Sequence, residues 1–81
     1  MSRNTDFVRT FSLSINRLRL ERGLTIEQLA DLASVHRTTI GLIERSERSP
    51  TLQVAKQIAD ALEMKLSTII QLAENELDIK K

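Results

Sequence analysis

Apolar residues recur along this chain at steps of three and four with no run of strict alternation, a spacing that predicts helices joined by short turns. Residues 1–5 are polar and expected to fray. From Asp6, read as an N-cap, Val8, Phe11, Ile15 and Leu18 mark one face of a first helix that Gly23 ends as its C-terminal cap; Leu13 and Leu20 fall off that face. Thr25 and Gln28 have the spacing of a capping box and open a short second helix that buries Leu29, Ala30 and Ala33. A turn at Ser34 and Val35 leads into a third helix, from His36 or Arg37 to Arg45. It turns Ile40 and Ile43 inward and leaves Arg37, Thr38, Gly41 and Arg45 exposed. Residues 46–50 are a polar loop ending at Pro50, after which Ser49 or Thr51 caps a fourth helix carrying Leu52, Ala55, Ile58, Ala59 and Leu62. Ser67 caps the fifth, about 67–78, in which Leu66, Ile70, Ala73 and Leu77 form one stripe with Ile69 and Leu72 beside it. An apolar surface wider than one contact requires predicts a second partner, so Ile69, Ile70, Leu72 and Ala73 are the expected dimer surface.

The composition narrows what such a helical chain can do. At 81 residues, 41% hydrophobic and 28% charged, it reads as a single globular all-α domain, compact and five-helical, over 1–81. So short a domain buries a modest core, and association of subunits is the remaining way to add stability where cysteine is absent. One His and no Cys cannot assemble a zinc cluster or a thiol nucleophile, and the carboxylates are scattered, so neither a metal, a cofactor nor an enzyme is expected. No stretch approaches the roughly 20 apolar residues of a membrane span, and no signal-peptide run opens the chain, which predicts a cytoplasmic protein. A net charge of +1 does not by itself announce nucleic acid. The distribution says where recognition is to be sought: every arginine lies at or before Arg48 and every lysine at or after Lys56, so the planar forks suited to guanine and phosphate are all in the first two-thirds.

The segment Leu24-Thr25-Ile26-Glu27-Gln28-Leu29-Ala30, Val35-His36-Arg37-Thr38-Thr39-Ile40 and Ile43-Glu44-Arg45 resembles the helix-turn-helix of the Cro and cI repressor class, the Xre family. The resemblance extends to Leu18-Arg19 and Arg22-Gly23 upstream and through Ser49-Pro50-Thr51-Leu52, Ile58-Ala59-Asp60-Ala61-Leu62 and Leu66-Ser67 downstream, roughly residues 11 to 70. Within that class, Arg37, Thr38, Ile43, Glu44, Arg45 and Arg48 are similar to the run found in controller proteins of restriction-modification systems, with His36 where Asp or Ser is more usual. The implied fold is a repressor-like domain with its helix-turn-helix at about 25–45. The implied function is a sequence-specific transcriptional regulator, a homodimer on a palindromic operator in double-stranded DNA. An antitoxin or a phage repressor shares most of these residues and is the alternative. A small-molecule ligand is not expected, since the chain has no room for a further pocket.

Side chains at the N-terminus of a helix lying in the major groove reach base edges, which makes Arg37, Thr38 and Thr39 the candidates for base readout. Thr39 has a second reading, facing the second helix. Arg45, Arg48 and Ser49 stand at the helix end and in the loop, placed for the sugar-phosphate backbone, as do Thr25 and Gln28 at the start of the second helix. Gln28 is equally half of a capping box, and His36 is a cap or a phosphate contact rather than a metal ligand. Gly41 is read as allowing close approach to the groove. The resemblance pairs Arg19 with Glu44 as an ion pair locking the first helix to the third. Two departures stand out: Ser34 occupies a turn position usually taken by Gly, and Ile26 replaces a Gln that commonly touches phosphate.

Overall fold

The computed structural model describes residues 3–79, with side chains from residue 6 onward, as α1 (Arg3–Glu21), α2 (Ile26–Ala33), α3 (Arg37–Glu44), α4 (Leu52–Ala61) and α5 (Leu66–Ile79). Among the described residues there is no strand. Three helices begin on a side chain that accepts a first-turn N–H. Thr25 Oγ1 accepts from the Gln28 N–H at 3.0 Å while Gln28 Oε1 accepts from the Thr25 N–H at 2.9 Å, completing the capping box. His36 Nδ1 accepts from the Thr38 N–H at 3.1 Å, and Thr51 Oγ1 from the Val54 N–H at 3.1 Å.

Four helices also end alike. After α1 the left-handed Gly23 donates to the Leu20 carbonyl three residues back, and Leu24 donates to Arg19 five back. The same pair of bonds follows Ser34, Ser46 and Glu63 after α2, α3 and α4, satisfying carbonyls that would otherwise lack partners. Only the first is a glycine. The other three hold φ near +60°, a conformation that costs an L-residue about 1–2 kcal/mol and that the cap bonds must offset.

Two helix starts differ from the expectation. α1 begins at Arg3 and Asp6 lies within its first turn, where the unpaired N–H groups favour a carboxylate as they do at the cap itself. Residues 1–2 of the segment expected to fray lie outside the described residues. α5 begins at Leu66, with the Lys65 carbonyl accepting from Thr68 and Ile69, so Ser67 is inside the first turn rather than its cap. The bend at Glu63 and Met64 has already turned the chain, which lets helix geometry start a residue earlier.

The core gathers Phe11, Ile15 and Leu18 of α1, Leu29, Ala30 and Ala33 of α2, Ile40 and Ile43 of α3, Ala55, Ile58 and Ala59 of α4 with Leu62, and Ile69 and Ala73 of α5. α1 lies along α5, and α2 packs on both α3 and α4, which seats the α2–turn–α3 unit on the rest of the molecule. Leu13 and Leu20 are exposed, as the periodicity requires. Leu52 departs from expectation: it is 76% exposed, because the first residue of α4 projects past the end of the core and Ala55, a turn later, takes the inward position.

Candidate nucleic-acid interface

The α2–turn–α3 unit is held from three sides. Its turn closes on Ser34, in the left-handed conformation at φ 59° and ψ 41°, and Gln57 Nε2 of α4 donates to the Ala33 carbonyl at 2.8 Å. From α1, Arg19 Nε donates to Glu44 Oε2 at 2.7 Å and Arg19 Nη2 to Glu44 Oε1 at 3.0 Å, a bidentate pair whose side chains are only 10% and 5% exposed. Asn16 Nδ2 adds a bond to Glu44 Oε1 at 2.9 Å, and Arg19 Nη1 donates to the Leu24 carbonyl at 2.7 Å. The hydrogen bond to Glu44 raises the Arg19 pKa above its ordinary value, against the opposing effect of burial. Glu44 is the last residue of α3, so this network clamps the end of that helix onto α1.

What remains outward on α3 is a short polar edge. Arg37 and Thr38 are exposed at its N-terminus, while Thr39 is half-buried. Arg37 Nη1 donates to Glu27 Oε2 across the turn, which brings the start of α2, with Thr25 and Gln28, beside the tip of α3. The side chains of Thr25, Gln28 and His36 each cap a helix, and all three residues are exposed. At the other end, eight residues and about 12 Å away, Arg45, Arg48 and Ser49 are exposed, and Arg45 Nε donates to Glu47 at 3.2 Å. Gly41 is a correction. It is buried, and a Cβ there would lie 3.2 Å from Arg45 Nη1, so its missing side chain makes room for the chain's own arginine one turn on.

The surface expected of α5 is also corrected. Ile69 is 0% exposed and Ala73 equally buried, so neither is offered to a partner; the inward line runs through these two, with Leu66, Ile70 and Leu77 half-buried around them. Leu72 is 44% exposed but lies beside Arg17, Glu21 and Glu76, and Arg17 is paired with Glu76 there at 3.2 Å. Ile70 alone of the four residues lines an open apolar groove, together with Phe7, Val8, Pro50, Leu52 and Leu66. A shift of about one residue in the phase of α5 accounts for the error, because on a helix with apolar residues at 66, 69, 70, 72, 73 and 77 several stripes are self-consistent.

Three residues were given no site role by the sequence reading, and Leu52 was placed with the apolar set of α4. Asn16 and Gln57 bond to groups 28 and 24 positions away, Glu27 meets Arg37 ten positions on, and Leu52 is exposed by where α4 starts. Only Glu27 had a local signal, as a carboxylate in the first turn of α2.

A family model described as Helix-turn-helix matches residues 15–74. Relatives include the HTH-type transcriptional regulator SutR of Escherichia coli (strain K12), 35% identical over 65 residues that cover 80% of this chain and 36% of the relative. Control protein C.SmaI of Serratia marcescens is 48% identical over 40 residues, 49% of this chain and 48% of that one. The chain thus spans from 36% to 48% of the length of the curated relatives it matches. Among solved structures, the wild-type restriction-modification controller protein C.Esp1396I superposes with a TM-score of 0.84 at 31% identity, over 93% of this chain and 96% of that one. C.Esp1396I has also been solved as a tetramer in complex with its natural 35 base-pair operator. The left-handed turn between two short capped helices, and the buried pair that docks the second of them, lie within the matched region, and the chain belongs to the helix-turn-helix family of the Xre, or Cro and cI, type.

Proposed function

We propose that this chain is a sequence-specific DNA-binding transcriptional regulator of the restriction-modification controller kind, acting in the cytoplasm as a homodimer on an inverted-repeat operator. The observation that carries the reading is its likeness to C.Esp1396I along 93% of its length, with an exposed polar edge on α3. In this reading α3 enters the major groove, whose width of about 12 Å admits an α-helix with its side chains. Arg37 reaches O6 and N7 of a guanine, and Thr38, with half-buried Thr39 behind it, offers a hydroxyl and a methyl to neighbouring bases. The capped start of α2, through Thr25 and Gln28, and His36 meet phosphates at one end of α3; Arg45, Arg48 and Ser49 meet them at the other. The whole chain serves as one DNA-binding domain, without catalytic, metal or small-molecule chemistry.

Selection from a random duplex pool supplies the operator and tests the reading. Arg37→Ala is expected to cost about 1–3 kcal/mol on the selected duplex and to relax preference at one base pair per half-site. Equal losses on selected and scrambled duplexes would reduce Arg37 to a backbone contact. Arg48→Ala should instead weaken binding to all sequences alike and flatten the slope of log K against log salt by about one unit. A loss confined to one base pair contradicts that role.

A further inference from the structure

Arg37 does not stand free at the tip of α3: its guanidinium is already held by Glu27, and both side chains are 65% exposed. An ion pair so open to water contributes little to folding, so its consequence is to be sought in what Arg37 meets. The backbone beneath Glu27 is fixed. It sits in the first turn of α2, between the two partners of the capping box, where the helix dipole favours a carboxylate. Arg37 therefore has a counter-ion anchored on the neighbouring helix, which biases its guanidinium towards the start of α2.

A guanidinium carries five N–H donors in a planar fork, and Nη1 alone is turned to Glu27. The remaining edge can still present two parallel N–H groups to O6 and N7 of a guanine, which are neutral acceptors. A phosphate is different. It brings a second anion towards Glu27, and as water leaves the contact that repulsion grows. We propose that Glu27 is a specificity-determining residue: it positions Arg37 for a base edge and penalises the use of the same arginine on the phosphate backbone of non-cognate DNA. The proposal rests on the DNA-binding reading above. Asp31, one turn further along α2, lines the same concavity with His36 and Arg37 but makes no bond to Arg37, and so serves as a matched charge control.

The experiment measures fluorescence anisotropy on two probes, the duplex that the unaltered protein selects from a random pool and a scrambled version of it. Glu27→Gln is expected to tighten binding to the scrambled duplex about tenfold, near the lower end of what one bidentate base contact discriminates, and to leave the selected duplex within about threefold. Asp31→Asn should shift both duplexes by one common factor, as a charge change acting at long range does. In an Arg37→Ala background, Glu27→Gln should also shift both alike, because the arginine it positions is gone. Unchanged thermal melting of Glu27→Gln separates these effects from a loss of fold. The proposal is overturned if Glu27→Gln moves both duplexes equally, or if it lowers the specificity ratio just as far without Arg37. An unaltered protein that selects no sequence overturns the DNA-binding reading, and this proposal with it, and that failure shows before any variant is made.

Discussion

Replacing Glu44 with alanine is expected to destabilise the fold by about 3–5 kcal/mol, the range for stranding one partner of a buried ion pair. The removed carboxylate accepts from Arg19 Nε, Arg19 Nη2 and Asn16 Nδ2. Arg19 keeps the Leu24 carbonyl but loses the carboxylate it is paired with, with its side chain 10% exposed. Against a total stability of roughly 4–12 kcal/mol for a chain of this size, such a loss removes about a quarter or more. Urea denaturation read by circular dichroism gives the magnitude. A paired replacement, Arg19→Met with Glu44→Leu, should recover much of it, because two apolar side chains need no partner. A loss below about 1 kcal/mol for Glu44→Ala would mean that water reaches the pair and screens it.

The second large effect is expected at the groove beside the helix-turn-helix. Homodimers place the same patch on both sides of a two-fold axis, so a self-pairing surface works best where it carries no net charge to repel its own copy. Phe7, Val8, Pro50, Leu52, Leu66 and Ile70 satisfy that, whereas the outer side of α5 at Leu72 is lined by Arg17, Glu21 and Glu76. The groove also adjoins Ser49 in the loop after α3, and a dimer that reads an inverted repeat would need its two α3 helices about 34 Å apart, on half-sites about 10 base pairs apart. Leu52→Asp should leave the fold intact, since the side chain is 76% exposed, and abolish the dimer. Loss of the linked second half-site then lowers affinity for the paired operator by about 10²–10⁴ while single half-sites bind as before. Sedimentation and anisotropy on paired and single half-sites check both statements. A folded Leu52→Asp variant that remains a dimer would move the interface elsewhere. Ile69→Asp, in contrast, should unfold the chain, because it buries a carboxylate where exposure is 0%.

Much of the architecture was legible because helix boundaries are local chemistry. The bonds that open α2, α3 and α4 join groups two or three residues apart, and those that close α1 to α4 span three to five. Thr25 with Gln28, and Gly23, therefore announce themselves in the amino-acid order. Ser46 and Glu63 did not, since neither residue type signals a left-handed turn; the strain there is set against the paired cap bonds that close each turn.

The sequence by itself determined five helices and the inward faces of α1 to α3, because periodicity and capping are encoded within a few residues, while its resemblance to the Xre class implied the helix-turn-helix with its polar tip at Arg37 and Thr38. Tertiary structure alone decided the phase of α5, which puts Ile69 and Ala73 in the core, and the exposure of Leu52 at the start of α4. It also decided that Asn16 joins Arg19 on Glu44 and that Glu27 holds Arg37. Those outcomes depend on where one helix lies against another. An apolar residue is buried only if a partner surface stands opposite it, and a charge finds its counter-ion only where the chain's path brings the two together.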